Sequence, residues 1–531
     1  MDMTARALAL KAISAQAGKA DLVDGKVPAS ELPSYVDDVV EYANTSAFPA
    51  EGERGKIYIA LDTNTSYRWG GSTYIAITGQ SDWNQSNITA LDYIKNKPTL
   101  GTAAAKDMDS ALSSTSTNPV QNSTLYDKFL SIDANIAAIR LMMDATVYGF
   151  RIDKTNSDPE TRVEYLYDAV GMTPARMNYT TGQFDYGSWA NAWFIAGNKP
   201  CALKYDGTVD YYLDPDDYTK KADGTSSDVS DSSYAGNFMA SMPTVWIKRW
   251  EDERYLYCAF SDKQINSSFK AYAHDAGDGT INDMIYLPMF KGVVVDSKLR
   301  SIAGQYPTGF TTAAEDKTSA EANGSGWQTW DWSKHCLITD LITLISKSTN
   351  SQEALGNGDS NTYDAESPTR GQLMSGDGDL TTGQFYGAND FAHHVKVFHI
   401  EDYWGGRWDR CLGLNRINLY YSVKPVRPYS VNGDSSYTQL GLVPNIGWHS
   451  IKTLTANEFG CFPTADGGTA TTYYCDGLNT GNASTNSLAL FGGDAQSVTM
   501  NGSYALHISR PSDNTLWFIG SSLVYNATHS S

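Results

Sequence analysis

Short runs of alternating apolar and polar residues recur along the chain and predict many short strands. Three of them, separated by the turn residues Asp-Thr-Asn and Gly-Gly-Ser, predict a small β-meander: Lys56–Ala60, Thr65–Trp69 and Thr73–Ala76. Four longer runs predict further strands between residues 147 and 295: VYGFRID, PTVWIKRW, RYLYCAF and DMIYLPMFKGVVV. The pattern therefore favours a chain that is mainly β with some α.

A second pattern has the spacing of a coiled coil. Six apolar residues recur at intervals of 4, 3, 4, 3 and 4, the seam of a heptad repeat: Leu125, Phe129, Ile132, Ile136, Ile139 and Met143. Isoleucine at both kinds of seam position favours three strands over two, so we expect a short trimeric coiled coil. A single amphipathic helix docked on a globular domain is the alternative.

One other segment has helical spacing. KHCLITDLITLISKS, residues 334–348, carries Leu337, Leu341, Ile342, Leu344 and Ile345 on one predicted face. Ala5 to Ala17 is also compatible with a helix, but two prolines interrupt the segment that follows it.

These patterns divide the 531 residues into several regions. We expect an attachment segment, a β-meander, an extended linker, the coiled coil, a β-rich region and a C-terminal domain: residues 1–45, 46–80, 81–122, 123–146, 147–307 and 308–531.

Composition narrows the class of partner. A formal net charge of -20 argues against nucleic acid or an anionic membrane as partner, because both select clustered Lys and Arg. The N-terminal residues contain no continuous apolar segment typical of a secretory signal, and no stretch approaches 18 uncharged apolar residues. We expect neither secretion by that route nor insertion into a membrane.

Candidate chemistry is sparse. The six cysteines have no metal-ligand spacing, and we expect isolated, reduced and mostly buried thiols, although a Cys461–Cys475 bridge stays open. His393, His394 and His399 are more typical of locally satisfied side chains than of metal ligands. Since no catalytic motif is present, we expect no enzyme, no cofactor and no metal.

The first 125 residues resemble a known class of structural protein. The meander, DWNQSNITALDYIKNKP and LSSTSTNPVQNSTL are similar to shaft pieces of tailed-phage fibre proteins. This resemblance implies an N-terminus attached to other virion tail proteins. A structural shaft or baseplate protein without receptor contact is the alternative that these modules leave open.

Two C-terminal stretches resemble a C-type-lectin-like domain. They are VKVFHIEDYWGGRWDRCLGL, residues 395–414, and LFGGDAQSVTMNGSYALHISRPSDNTLWFIGSSL, residues 490–523. The second is similar to the variable region of proteins diversified by retroelement-driven, adenine-specific mutagenesis. The resemblance implies a buried framework: Phe491, Gly492, Gly493, Tyr504, Leu506, Trp517, Ile519, Gly520 and Leu523.

The same resemblance implies that the positions between the framework residues, within a variable-like region at 490–525, point to solvent and bind a ligand. These are Asp494, Ala495, Ser497, Asn501, Ser503, His507, Ser509, Arg510, Asp513, Asn514, Thr515 and Phe518. Gln496 and Met500 are poorer candidates, because adenine changes in an Asn codon do not produce them. Trp404 and Trp408 are expected in the core.

Together these features predict a homotrimeric phage tail fibre or receptor-binding protein at the tail tip of the virion. It would be made in the host cytoplasm and would bind a glycan or an outer-membrane protein on a bacterial surface. A glycan depolymerase is a weaker alternative. It needs two carboxylates facing one cleft. Since any sequence with 60 Asp and Glu permits such a pair, the presence of these residues does not support this activity.

Overall fold

The structure is a computed structural model. It describes residues 38–77, 81–90, 92–96, 110, 123–125, 127–128, 144–367, 372–481 and 486–529. The chain divides into two compact units, Met1–Phe129 and Leu130–Ser531, and the secondary structure of the described residues is mainly β. Within the described ranges no helix has the length and apolar character needed to cross a bilayer.

The first unit contains a four-stranded sheet with the order β1-β2-β3-β4. Its strands are β1 Asp38–Tyr42, β2 Lys56–Ala60, β3 Thr65–Trp69 and β4 Tyr74–Ala76. The predicted strands β2 and β3 are confirmed, and the third begins one residue later than predicted. The added strand β1 pairs with β2 in parallel, and Phe48 packs on Tyr74 with ring centroids 4.7 Å apart.

Most of the predicted coiled coil falls outside the described residues. Leu125 is described and is 39% exposed. The other seam positions, Phe129, Ile132, Ile136, Ile139 and Met143, lie outside the described ranges, as does the predicted helix at residues 5–17. The trimeric coiled coil therefore stays a prediction.

The second unit begins with strands that follow one another closely. In chain order they are β5 Val147–Asp153, β6 Val163–Tyr167, β7 Arg176–Asn178, β8 Gln183–Asp185, β9 Pro200–Lys204, β10 Val209–Tyr212, β11 Gly236–Pro243, β12 Trp246–Glu251, β13 Tyr255–Ser261, β14 Met284–Pro288, β15 Val293–Val295 and β16 Lys298–Arg300. A short helix, α1 Trp193–Ala196, precedes β9. The four predicted runs of this region all contain strands.

The remainder mixes helices and strands. Its helices are α2 Ala313–Glu321, α3 Trp332–Ser346 and α4 Ser351–Leu355. Its strands are β17 Trp327–Thr329, β18 Lys396–Val397, β19 Ile400–Glu401, β20 Trp408–Ile417, β21 Tyr420–Val423, β22 Thr438–Leu442, β23 His449–Asn457, β24 Gly460–Asp466, β25 Gly477–Asn479, β26 Ser487–Gly492, β27 Gly502–His507, β28 Ile519–Gly520 and β29 Leu523–Tyr525.

Three larger sheets organise this unit. A nine-stranded sheet has the order β22-β21-β20-β26-β27-β25-β23-β24, with β28 paired to β20 in parallel. A six-stranded sheet has the order β10-β9-β11-β14-β29-β17, and a four-stranded sheet has the order β12-β13-β5-β6. The nine-stranded sheet carries the variable-like region, because β26, β27 and β28 all belong to it.

Residues 147–307 and 308–531, which the sequence separates into two regions, belong to this one unit. Strand β29 lies between β14 and β17, where Tyr525 pairs with Tyr286 on one side and with Trp327 on the other. The largest hydrophobic cluster likewise joins Phe150 and Trp189 to Phe491. Long-range strand pairing has no signature in a local sequence pattern, so the sequence could not show this continuity.

Helix α3 lies at the centre of the unit. The predicted helix is confirmed, and all fifteen of its residues are buried, so its polar positions are interior as well as its apolar ones. Its polar side chains are satisfied inside the protein. Thr339 Oγ1 donates to the Ser503 carbonyl oxygen at 2.9 Å, and Thr343 shares a hydrogen bond of 2.7 Å with the Tyr504 hydroxyl. Through these two hydrogen bonds helix α3 supports β27.

All six cysteines are free thiols, as predicted. Cys461 is half-buried and the other five are buried, so the Cys461–Cys475 bridge that the sequence leaves open is not formed. Burial raises the pKa of each of these thiols above its ordinary value.

Candidate functional site

The variable-like region forms two loops on the nine-stranded sheet. Residues 493–501, here the inner loop, connect β26 to β27. Residues 508–518, here the outer loop, connect β27 to β28. The inner loop is closed by hydrogen bonds of its own side chains, and the outer-loop backbone accepts hydrogen bonds from other parts of the unit.

The inner loop is closed by a reciprocal pair of hydrogen bonds. The Asp494 N–H donates to Asn501 Oδ1 at 3.1 Å, and Asn501 Nδ2 donates to the Asp494 carbonyl oxygen at 2.7 Å. The Asp494 carboxylate also accepts from Trp408 Nε1 at 3.0 Å and from the Ser497 hydroxyl at 2.7 Å. Burial raises the pKa of Asp494 above its usual value. Asp494 and Asn501 therefore fix the loop rather than face a ligand.

The glycine pair where β26 passes into this loop is required by the backbone. Gly492 and Gly493 have φ of 93° and 99°, in the region that favours glycine. A Cβ on Gly493 would lie 1.8 Å from Asn501 Oδ1, and one on Gly492 would lie 2.7 Å from the Tyr403 carbonyl oxygen. Both positions thus belong to the framework for steric reasons.

Five of the predicted ligand-binding residues are buried, and the expectation that they point to solvent is wrong. Ala495 and Asn501 are 0% exposed, Ser503 is 1%, Asp494 is 3% and His507 is 4% exposed. The reason is hydrogen bonding or packing to residues far away in sequence. Asn501 Nδ2, for example, also donates to the hydroxyl of Ser360 at 2.7 Å.

His507 illustrates how a polar residue becomes part of the framework. Its ring contacts the rings of both Trp408 and Trp448, with ring-centroid distances of 5.6 Å and 6.3 Å. Burial, with a smaller contribution from the positive charges of Arg510 and Arg416, lowers the pKa of His507 to about 3. The imidazole is therefore neutral at physiological pH.

The other predicted ligand-binding residues lie at the surface. Asp513 and Thr515 are exposed, and the remaining five are half-buried: Ser497, Ser509, Arg510, Asn514 and Phe518. All except Ser497 belong to the outer loop. The structure thus divides the predicted set, with an interior group that supports the fold and a surface group concentrated on residues 509–518.

The outer-loop backbone is held from outside the loop. The carbonyl oxygens of every second residue, 510, 512, 514, 516 and 518, accept hydrogen bonds at 2.8–3.2 Å from other parts of the unit. The donors are the N–H groups of Leu488, Ala313, Phe310 and Trp408 and the guanidinium of Arg410. Since none of these acceptors is an outer-loop side chain, these five hydrogen bonds do not depend on which side chains the loop carries.

The predicted framework residues are mostly interior. Phe491, Gly492, Gly493, Tyr504, Leu506, Ile519, Gly520 and Leu523 are buried. Trp517 is half-buried and stacks on Tyr363, with ring centroids 4.2 Å apart and an interplanar angle of 20°. The expected core residues Trp404 and Trp408 are buried, with 0% and 1% exposure.

Sequence reasoning missed two aromatic residues that contact the variable-like region. Tyr363 stacks on Trp517, and Trp448, which is 38% exposed, contacts Trp408 at a ring-centroid distance of 5.7 Å. Both lie far from the variable-like region in sequence, so no local signal could identify them. Gln496, which the sequence disfavours, is exposed on the inner loop.

Comparisons with known proteins show likenesses to solved structures. No family model matches this chain, and no curated protein matches it. A solved structure named Major Tropism Determinant P3c Variant is similar over 92% of this chain and 98% of that chain, with 11% identity and a TM-score of 0.21. Another, named Major Tropism Determinant U1 Variant, covers the same shares with 10% identity and a TM-score of 0.19.

Proposed function

We propose that this chain is a receptor-binding protein of a phage tail and is not an enzyme. In this proposal a C-type-lectin-like domain, residues 308–531, presents the outer loop to a ligand on the bacterial surface. The observation that carries the proposal is the anchoring of the outer-loop backbone through alternate carbonyl oxygens. A surface of this kind keeps its shape while its side chains change, as a variable recognition site requires.

The surface side chains of the outer loop suit recognition. Asp513 offers a carboxylate, Arg510 a guanidinium and Asn514 an amide, and all three are exposed or half-buried. Beside them Trp517 and Phe518 present partly exposed rings 5.6 Å apart. Aromatic rings next to polar groups bind sugar faces and protein surfaces alike, so a glycan or an outer-membrane protein fits this surface.

In this proposal the N-terminal part attaches the protein to the virion and sets the number of chains in the assembly. Residues 1–45 attach to other virion tail proteins, and the predicted seam from Leu125 to Met143 assembles three chains. Three outer loops on one trimer would bind a cell surface with greater avidity than a single loop, because the later contacts occur at high effective concentration. The protein would therefore act at the tail tip of the virion.

The proposal can be tested by binding to cells. The full chain, labelled with a fluorophore, is measured by flow cytometry against a panel of bacterial strains, and compared with a variant carrying Asp513→Ala, Asn514→Ala and Thr515→Ala. We expect binding to at least one strain and a loss of tenfold or more in the variant, with Tm unchanged. Matched changes at exposed residues outside the loop, Asp223→Ala and Thr225→Ala, should leave binding unchanged.

Two results would contradict the proposal. The first is a wild-type chain that binds none of the strains, which would favour a shaft or baseplate protein. The second is a triple variant that binds as well as the wild type, which would remove the outer loop from recognition. Release of reducing sugar from the bound cells would instead favour the depolymerase.

A further inference from the structure

A buried cluster of His394, Glu401 and Asp402 lies outside the outer loop. It is built on a tight hairpin, in which β18 and β19 pair Lys396 with Glu401 and Val397 with Ile400. The two turn residues, Phe398 and His399, have φ of 53° and 64°, as a two-residue hairpin turn requires. The hairpin brings the residues before β18 beside those after β19.

His394 is oriented by one carboxylate. Its Nδ1 lies 2.7 Å from Asp402 Oδ2, and Asp402 Oδ1 accepts from the Val395 N–H at 3.2 Å. With Nδ1 directed at Asp402, the other ring nitrogen faces different groups. Nε2 lies 3.1 Å from the Met374 carbonyl oxygen and 4.0 Å from Glu401 Oε2.

The Glu401 carboxylate lies beside His394 and has one oxygen that accepts no hydrogen bond from the described residues. Its side chain is buried, and Oε2 accepts from the Gly376 N–H at 2.6 Å. Oε1 has no hydrogen-bond partner among the residues that the structure describes. No Lys or Arg in that part of the chain pairs with Glu401, and the nearby Lys396 pairs with Asp379 at 3.2 Å. A protonated His394, or a bound cation in place of that proton, would compensate the charge of this buried carboxylate.

We propose that this cluster is a binding site for a divalent transition-metal cation such as Zn²⁺. His394 Nε2, a Glu401 carboxylate oxygen and the Met374 carbonyl oxygen would be the ligands, and Asp402 would orient the imidazole through Nδ1. His394, Glu401 and Asp402 each offer an atom within 4.8 Å of the others, and the described residues contain no second group of three like it.

The distances fit such an ion. Zn–N and Zn–O distances of about 2.1 Å place tetrahedral ligand atoms about 3.4 Å apart. The separations of 3.1 Å and 4.0 Å from His394 Nε2 to its two neighbours lie on either side of that value. A carboxylate that accepts from the second ring nitrogen of a ligating histidine is the usual support for a metal-bound imidazole, and Asp402 supplies it.

The site would stabilise the floor beneath the inner loop. The hairpin leads directly into residues 403–406, which contact the end of β26 and the inner loop through the main chain. The Gly405 N–H donates to the Gly492 carbonyl oxygen at 3.2 Å, and the Ala495 N–H donates to the Gly406 carbonyl oxygen at 2.9 Å. A bound cation would link the hairpin to Met374. It would thereby restrain residues 403–406, which follow the hairpin and contact the inner loop.

The test uses the full chain, freed of metal with a chelator and then titrated with ZnCl2, MnCl2, CaCl2 or MgCl2. Isothermal titration calorimetry measures affinity, elemental analysis measures stoichiometry after desalting, and thermal denaturation measures stability. We expect one Zn²⁺ per chain and a Tm increase of about 2 °C or more at a hundredfold excess of Zn²⁺ over Kd. Ca²⁺ and Mg²⁺ should bind more weakly, because imidazole is a poor ligand for them.

Two variants assign the site. Glu401→Gln keeps the side-chain shape and should lower the affinity for Zn²⁺ at least tenfold. The matched control is His393→Gln, which removes the adjacent histidine, whose side chain is 55% exposed, and should leave the stoichiometry at one.

Three results would overturn the inference: a wild-type chain that binds none of the four ions, equal Zn²⁺ affinity in Glu401→Gln and wild type, or loss of the ion in His393→Gln. The measurement on the wild type stands even if Glu401→Gln does not fold.

Discussion

Asp494 and Asn501 hold each other across the inner loop through two hydrogen bonds of 3.1 Å and 2.7 Å between the main chain of Asp494 and the side-chain amide of Asn501. Both residues are buried, although the sequence suggests a solvent-facing role for each. The relationship explains why the loop begins with glycine, because the amide of Asn501 occupies the space where a Cβ of residue 493 would lie.

Asn501→Ala should destabilise the second unit. The change removes the hydrogen bonds to the Asp494 N–H, the Asp494 carbonyl oxygen and the Ser360 hydroxyl, and leaves buried polar groups unpaired. We expect the free energy of unfolding to fall by about 3 kcal/mol, measured by chemical denaturation. Gln496→Ala, on the exposed part of the same loop, should change it by about 0.5 kcal/mol or less. Equal effects of the two changes would contradict the structural role of Asn501.

Gly493→Ala should be more harmful than a glycine substitution with free space around it. The new Cβ would meet Asn501 Oδ1 at 1.8 Å, in a backbone conformation with φ of 99°. Gly182 has φ of 69°, and a Cβ added there would have no atom within 4 Å, so Gly182→Ala reports backbone strain alone. We expect Gly182→Ala to cost about 1–2 kcal/mol and Gly493→Ala clearly more, measured by thermal denaturation. A Gly493→Ala chain as stable as the control would show that Asn501 can move.

His507→Gln should reduce the loss of stability in acid. The pKa of His507 is about 3 in the folded protein, against 6.5 for an ordinary histidine. As the pH falls below 6.5, the unfolded chain takes up a proton that the folded protein does not, so the free energy of unfolding decreases. At pH 5 this contribution is about 2 kcal/mol.

The measurement is chemical denaturation of both chains at pH 7.5 and pH 5. Other buried groups titrate in both chains and cancel in the comparison. The wild type should lose about 2 kcal/mol more than the variant over this interval. Parallel losses would contradict burial of a neutral His507.

Asp340→Asn should disrupt a buried ion pair. Asp340 Oδ2 lies 2.5 Å from Arg249 Nε, and the two side chains are 5% and 6% exposed. Removing one charge leaves the buried guanidinium uncompensated, so we expect a loss of about 3–5 kcal/mol in chemical denaturation. Glu321→Gln in the more exposed pair with Lys317 should cost at most about 1 kcal/mol. A small effect of Asp340→Asn would mean that water reaches Arg249.

Ile132→Asp combined with Ile139→Asp tests the predicted trimer. Two charges on the seam should abolish assembly, so light scattering on the wild-type chain should report three chains and on the variant one. Asn135→Asp, on the predicted solvated face, should leave the trimer intact. A wild-type monomer at micromolar concentration would contradict the coiled coil.

Much of the local structure follows from the sequence. Strands β2, β3 and β5 and helix α3 begin and end at or near their predicted positions, because short-range periodicity sets which backbone conformation buries apolar side chains. The glycine pair Gly492–Gly493 is likewise recognisable, since few other residues adopt a positive φ.

The candidate site could be predicted only in part. Ser509, Arg510, Asp513, Asn514, Thr515 and Phe518 lie on the surface of the outer loop, but Asp494, Asn501 and His507 do not. Polarity alone does not separate the two groups. The two groups differ in whether the folded protein provides a hydrogen-bonding or packing partner for the side chain. That partner belongs to an element distant in the chain.

The sequence by itself determined the local conformation of this protein: the short strands, the central helix and the glycine turn, each set by neighbouring residues. Only the tertiary structure decided which polar residues are interior. Trp408 and Ser360, the partners of Asp494 and Asn501, lie 86 and 141 residues away from them along the chain. A buried polar side chain is stable where its hydrogen bonds are made, and only the folded chain brings those partners within reach.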